Sequence, residues 1–463
     1  MFFNRIKSNK TENYLDLKKI FQLDGTCLID CLSDSNKKKI TSTIALSSYG
    51  SANKDIFLVT KKCIYLNEFF PSFIWESLPL HSNKNIRELI NNEIFITLQC
   101  SGLPLIQKWY WPNGCRSFFS FRADMDAGDE TGLLRFVDTI RPWSKSLSLF
   151  VCGKAYVGKA HLLQEVVGLG SEVGNHTFVH YVFDDKKRNR KNLELTEDLL
   201  AGVGVVPKGY VGPASFWHPS MYDVLEEKGY QYASSFGVGH DDFPFFLSKN
   251  DSEAYSMVEI PFHCLGDRFP KFGLELGSEE VGRFFEQLLE KKYHSCEPMF
   301  IYGHPDMPGR MGDCPQLVKR ICQKALSYED VCTGNMADIA AWWRRRDSAT
   351  ANIEFDKVNN RVFATDYQAS PDVFWSIQVT EDCKYLVSGQ DLQAGVSLDS
   401  LDSYKKIDLS HIPFAKVGEV VDCPPEKENL RKRLGNWRRE YQRKRKMIHQ
   451  LNTTYKQVKG AIP

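Results

Sequence analysis

Between Cys115 and Arg346, short apolar runs alternate with segments whose apolar residues recur at helical spacing. SFFSFRADMD, SLSLFVCG, SEVGNH, YVGPAS, YASSF, MVEIPF and MFIYGH read as strands. Between them, ETGLLRFVDTI, KAHLLQEVVGLG, LELTEDLLAGVG, MYDVLEEKGY and SEEVGRFFEQLLEKKY place apolar residues three and four apart, as amphipathic helices do. Repeated β–α units predict an α/β domain over 111–347 with a largely parallel sheet, closed or nearly closed into a barrel. GNMADIAAWWRRR reads as its last helix, with Trp342 and Trp343 packed against the sheet.

The flanks differ from this pattern. Residues 1–110 mix apolar runs (IFLVT, IFITLQC) with Asn- and Lys-rich connections and predict a small α/β or mostly β domain of unassigned role. WPNG, at Trp111–Gly114, is a turn signal and marks the boundary. FDKVNNRVFATDY and EDCKYLVSG predict hairpin strands in a β accessory domain over 348–424. In 425–463, Leu430, Leu434, Trp437, Tyr441, Ile448 and Leu451 recur at helical steps. Between Lys427 and Lys446 stand ten Lys or Arg against two Glu, so this helix is strongly basic.

Composition narrows the function classes. A chain of 463 residues with 42% hydrophobic content supports several cores, and a net charge of +1 gives no global bias toward nucleic acid. Thirteen scattered cysteines without a CxxC pair read as reduced thiols rather than a disulfide framework or a zinc knuckle. The opening MFFNRIKSNKTENYLDLKK lacks the apolar core of a secretory signal, and no run is long enough to span a bilayer. The expected compartment is therefore the cytoplasm. The basic helix around 427–451 suits packing on its own domain or on a second copy, or a peripheral contact with anionic lipid at the inner membrane face.

Three elements carry candidate chemistry. Asp124 and Asp126 end a strand and share one face, because residues two apart on a strand point the same way. Taken alone, such a pair suits a solvated turn better than a ligand site. His176 and His180, four apart, would lie on one side of a helical turn and share an ion. His304 ends the strand of MFIYGH. All three end strand-like segments, and the carboxyl ends of parallel strands are where such folds place ligands.

With these motifs, 115–346 resembles the NodB-type polysaccharide deacetylase domain of carbohydrate esterase family 4, closest in form to cytosolic peptidoglycan-deacetylase-like members. Asp124-Met125-Asp126-Ala127-Gly128 is similar to the family's spaced first motif, HTFVH to its His-Ser/Thr-x-x-His motif, and IYGHPD to its final histidine. The resemblance implies a distorted (β/α) barrel of about seven strands. It also implies metal-dependent hydrolysis of an N-acetyl or similar acyl amide on a sugar, such as a precursor of a surface polysaccharide. Asp126, His176 and His180 would hold a divalent metal, zinc by default, with cobalt, nickel or iron fitting similar ligands. Metal-bound water would be the nucleophile, Asp124 the base and His304 the acid. The segment Pro213, Ala214, Ser215 would contact the substrate and its oxyanion.

The third motif departs from the family pattern, with Val211 and Ser215 at the positions of its arginine and tyrosine. Arg122, Arg268 and Arg310 are the candidates to orient the base in place of that arginine. The fourth motif is indistinct around Tyr232–Phe236. These losses keep a second reading open, a catalytically decayed carbohydrate-binding or scaffold protein on the same fold.

Overall fold

Ser117–Met125 (β1) is the strand around which the computed structural model of this chain is organised. The structure describes residues 57–59, 64–66, 92, 95–96, 98–100, 102–235, 243–249, 253–261, 266–267, 276–410 and 441–453. Strict alternation divides β1 between two layers. Phe119, Phe121, Ala123 and Met125 face an outer core, while Phe118 joins an inner one. The outer core is filled by Glu130–Ile140 (α1), Ala160–Gly168 (α2), and two later helices described below. The buried polar residues Ser120, Arg122 and Asp124 occupy the same alternate positions as Phe118.

Leu147–Val151 (β2), Glu172–Asn175 (β3), Gly209–Val211 (β4) and Tyr232–Ser234 (β5) follow in parallel register. Phe245–Ser248 (β6) runs antiparallel beside Ala254–Glu259 (β7), which pairs parallel with β5. Met299–Gly303 (β8) pairs parallel with β1 on its other side, and Val331–Thr333 (β9) lies against the start of β1. The order β8-β1-β2-β3-β4-β5-β7-β6 contains seven parallel strands in a row, in keeping with the about seven that the family resemblance implies. Among the described residues no ladder joins the two end strands, so the sheet is not closed by hydrogen bonds.

It is nonetheless strongly curved. The Arg122 Nη1 on β1 donates to the Ser234 carbonyl on β5 at 3.2 Å. In a flat sheet, four strand spacings of about 4.8 Å would separate these strands by roughly 19 Å, beyond the reach of one side chain.

The helices Lys186–Ala201 (α3), Pro219–Glu227 (α4), Ser278–His294 (α5), Pro315–Ala325 (α6) and Met336–Ser348 (α7) alternate with these strands. α5 and α6 complete the outer core through Phe285, Leu289, Val318 and Ile321. α3 begins well before the apolar LELTEDLL pattern, because Asp185 caps it by accepting from the Arg188 N–H at 2.8 Å. α7 closes the amino-terminal end of the strands. Its Met336 N–H donates to Ser148 Oγ at 2.8 Å and its Ala337 N–H to Glu172 Oε2 at 3.0 Å. Trp342 and Trp343 are buried there with Trp111 and Phe243. The opposite, carboxyl end is left for chemistry.

The accessory strands form a hairpin (Thr350–Asp356 with Arg361–Gln368) and a four-stranded sheet. Leu105–Lys108, ahead of β1, pairs antiparallel with Phe374–Thr380 in that sheet. Lys108 Nζ donates to the carbonyls of Arg346 and Ala349, both at 3.0 Å, fastening this sheet to α7. The apolar IFLVT contributes a short strand, Phe57–Val59, paired with Ile64–Leu66. IFITLQC is helical at 95–96 and 98–99.

The cysteine reading needs one correction. Cys115 and Cys332 form a disulfide, 217 residues apart, brought together by the β1–β9 pairing. Cys152, Cys296, Cys322 and Cys383 are buried thiols, as expected. No helix among the described residues is long and apolar enough to cross a membrane.

Candidate metal centre

The segment after β3 carries both histidines, and it is not helical. Thr177 has a positive φ of 63°, which breaks the predicted helical turn. Asparagines hold the loop in place. Asn175 Oδ1 accepts from the Thr177 N–H at 2.7 Å, and Asn192 Oδ1 from the N–H groups of Phe178 and Val179 at 3.1 and 2.8 Å. Asn192 Nδ2 donates in turn to the Val179 and Tyr181 carbonyls. A loop with this many fixed bonds can aim two imidazoles as firmly as a helix.

The His176 Nδ1–H donates to the Val211 carbonyl at the end of β4, at 2.9 Å. That bond leaves Nε2 as the lone-pair nitrogen, the usual arrangement for a metal-ligating imidazole. His176 Nε2 lies 3.2 Å from Asp126 Oδ1, His180 Nε2 lies 3.3 Å from Asp126 Oδ2, and the two imidazole nitrogens are 3.1 Å apart. All of these ligand atoms fall within 4.8 Å of one another. Asp126 Oδ1 is buried without a hydrogen bond of acceptable geometry. Acceptors crowded in this way need protons or a cation between them. A carboxylate with two imidazoles is a donor set suited to zinc and similar divalent ions, so the residues fit the implied metal.

The charges agree with that reading. Burial pushes the Asp126 carboxyl up, but His180 and His176 outweigh it and hold the group far below its ordinary value. Burial pulls His176 down, yet Asp126 raises it overall. For His180, burial outweighs the pull of Asp126, and the positive charges of His176 and Arg443 add to it, lowering it to about 4. A cation held by this cluster would relieve the same crowding of acceptors that a proton relieves.

Asp124 and His304 flank the cluster. Arg122 grips Asp124 with two bonds, Nε to Oδ1 at 2.8 Å and Nη2 to Oδ2 at 2.6 Å. Burial raises the Asp124 carboxyl, but the guanidinium prevails and keeps it below its usual range. His304 Nε2 is 3.8 Å from Asp126 Oδ2. Its Nδ1 bonds Asp267 Oδ1 at 2.9 Å, and its backbone N–H donates to Asp267 Oδ2 at 3.1 Å. Burial lowers His304, yet the Asp267 carboxylate more than offsets this and lifts it to about 10. A cation on Asp126 would bring it down from there.

Of the arginines proposed to orient the base, Arg122 meets Asp124. Arg310 does not: its Nη1 donates to Asp267 Oδ1 at 3.1 Å, so it steadies the partner of His304 instead. Arg268 lies outside the described residues. Pro213–Ser215 forms a turn, with Ala214 at a φ of 50°, that starts two residues after Val211, whose carbonyl bonds His176.

Two carboxylates had not been singled out. Asp267 belongs to a loop with no periodic pattern. Asp306, two residues after His304, is fully buried and accepts from the N–H groups of Asp126, Ala127 and Gly128 at 3.0, 2.9 and 2.6 Å. Tyr156 Oη adds a fourth bond at 2.6 Å. Asp306 thereby fixes the backbone from which Asp126 projects. The IYGHPD segment carried a signal for it only as an acid beside the final histidine.

Comparison with solved structures finds an assigned polysaccharide deacetylase from Mycobacterium smegmatis, 21% identical, covering 51% of this chain and 93% of that one with a TM-score of 0.43. A second, from Pseudomonas aeruginosa PAO1, is 18% identical over 51% of this chain and 93% of its own, with the same TM-score of 0.43. The allantoinase PuuE is 17% identical, covering 51% and 92% at a TM-score of 0.43. At these identities the likeness is one of fold alone, over 51% of this chain. No family model matches the chain, and no curated protein is similar to it.

Proposed function

We propose that this chain is a divalent-metal-dependent hydrolase that removes an N-acetyl or similar acyl group from a sugar. The observation that carries this reading is the convergence of Asp126, His176 and His180, with an orphaned carboxylate oxygen at its centre and Asp124 and His304 beside it. The sugar as substrate rests on the motif resemblance described above.

Asp126, His176 and His180 would hold a zinc or similar ion, which would supply Lewis-acid activation of water and of the acyl oxygen. Asp124, kept ionised by Arg122, takes the proton of the water that attacks the acyl carbon. Asp267 holds the His304 Nδ1–H, so that Nε2 carries the proton toward the departing nitrogen. The C–N bond breaks as that proton is delivered, giving the free carboxylate and the amino sugar. Backbone N–H groups of Ala214 and Ser215 are the donors proposed for the developing oxyanion. Side-chain exposures of 32% for His180 and 12% for His304, against 1% for His176, fix the open side of the site.

The alternative of a decayed, non-catalytic relic drew on the missing third-motif arginine. Arg122 fills the role of base partner, and a binding relic has no need of the Asp267–His304–Arg310 array. Acetate release from N-acetylated sugars, measured with and without a chelator, tests the proposal. Release that a chelator abolishes and added zinc restores is the expected result; a complete lack of release across such sugars favours the relic.

A further inference from the structure

The helix over residues 441–453 packs on the loop that carries the two histidines. Met447, Ile448 and Leu451 cover Phe178, Val179, Tyr181, Phe183 and Leu195. Lys444 pairs with Asp184 at 2.6 Å and locks the same contact. Arg443 lies four and eight residues before Met447 and Leu451, hence on the same helical face, one turn beyond the apolar stripe. Its guanidinium carbon sits 5.7 Å from the ring centre of Tyr181 and 5.6 Å from that of Phe216. Tyr181 adjoins His180, and Phe216 follows the Pro213–Ser215 turn, so Arg443 bridges the two loops that border the open side of the metal cluster.

No described carboxylate pairs with Arg443. Nearby Asp184 is already taken by Lys444, and His180, which feels the charge of Arg443, offers no negative charge. A half-buried guanidinium against two aromatic rings, its fork engaged by no described carboxylate, is well prepared to receive an oxyanion. We propose that Arg443 is a specificity residue that selects N-acylated sugars carrying an anionic group, phosphate or carboxylate, near the acyl amide. This deepens the deacetylase reading and rests on it for the identity of the sugar.

The test compares dissociation constants of the zinc-loaded full chain for N-acetylglucosamine 1-phosphate, for an N-acetylated amino-uronic acid, and for neutral N-acetylglucosamine. Wild type should prefer one of the anionic sugars over the neutral one, and whichever is preferred identifies the phosphate or the carboxylate. Arg443→Gln should shrink the anionic-to-neutral affinity ratio by about tenfold or more, the usual scale for losing a charged hydrogen bond. Arg443→Lys should restore part of the ratio, since it keeps the charge and loses the fork. Melting temperature and zinc content of each variant establish that the helix still packs. An unchanged ratio in folded Arg443→Gln, or a wild type indifferent to sugar charge, overturns the proposal. Selective binding without acetate release from any of the three sugars would sink the deacetylase reading while leaving the anion selection intact.

Discussion

Asp124→Asn is expected to lower kcat for acyl-amide hydrolysis by about 10²- to 10⁴-fold, the range general-base removal commonly costs, while leaving metal content unchanged. The separation follows from geometry. Asp124 is not among the three ligands, and its oxygens are committed to Arg122 rather than to the imidazoles. Asparagine keeps the shape and an acceptor oxygen for Arg122 but cannot take a proton at neutral pH. Steady-state kinetics beside metal analysis of the same preparation check this. A parallel loss of metal would make Asp124 a ligand rather than a base.

His304→Gln should be as severe for amides, again about 10²- to 10⁴-fold in kcat, and much milder for an activated aryl acetate. An amine nitrogen needs a proton before it can leave, whereas a stabilised phenolate does not. The quantity to measure is the ratio of amide to aryl-ester turnover in the wild type and the variant. If both substrates lose rate equally, His304 acts in the metal cluster, from which it stands 3.8 Å, and not as the acid.

The strand ends were the legible part of the site. Asp124, Asp126 and His304 close apolar runs, and such runs reach the carboxyl edge of a parallel sheet whatever the details of closure. The four-residue spacing of His176 and His180 correctly paired them, although for the wrong local reason. A positive φ at Thr177 and a set of asparagine bonds replace the helix, and no periodicity encodes those. Of the three arginine candidates, Arg122 is the one on the same strand face as Asp124, two residues away, and it meets that carboxylate.

Asp267 and Asp306 were illegible for a different reason. Each acts through long-range contacts with backbone N–H groups or with His304, and a lone acid in a loop looks the same whether solvated or buried. The Cys115–Cys332 bridge likewise depends on strand pairing across 217 residues. Within the C-terminal segment, Leu430, Leu434 and Trp437 lie outside the described residues. Ile448 and Leu451 of the same stripe pack on the protein's own histidine loop.

The most direct test is the metal content of purified wild type beside His176→Ala. His176 is 1% exposed, and its Nδ1 is held by Val211, which leaves its Nε2 turned to Asp126 at 3.2 Å. Stoichiometric zinc or a similar divalent ion in wild type, with little or none in a folded His176→Ala, is the predicted result. Equal content in the two proteins, or a wild type that binds no divalent ion at all, would contradict it.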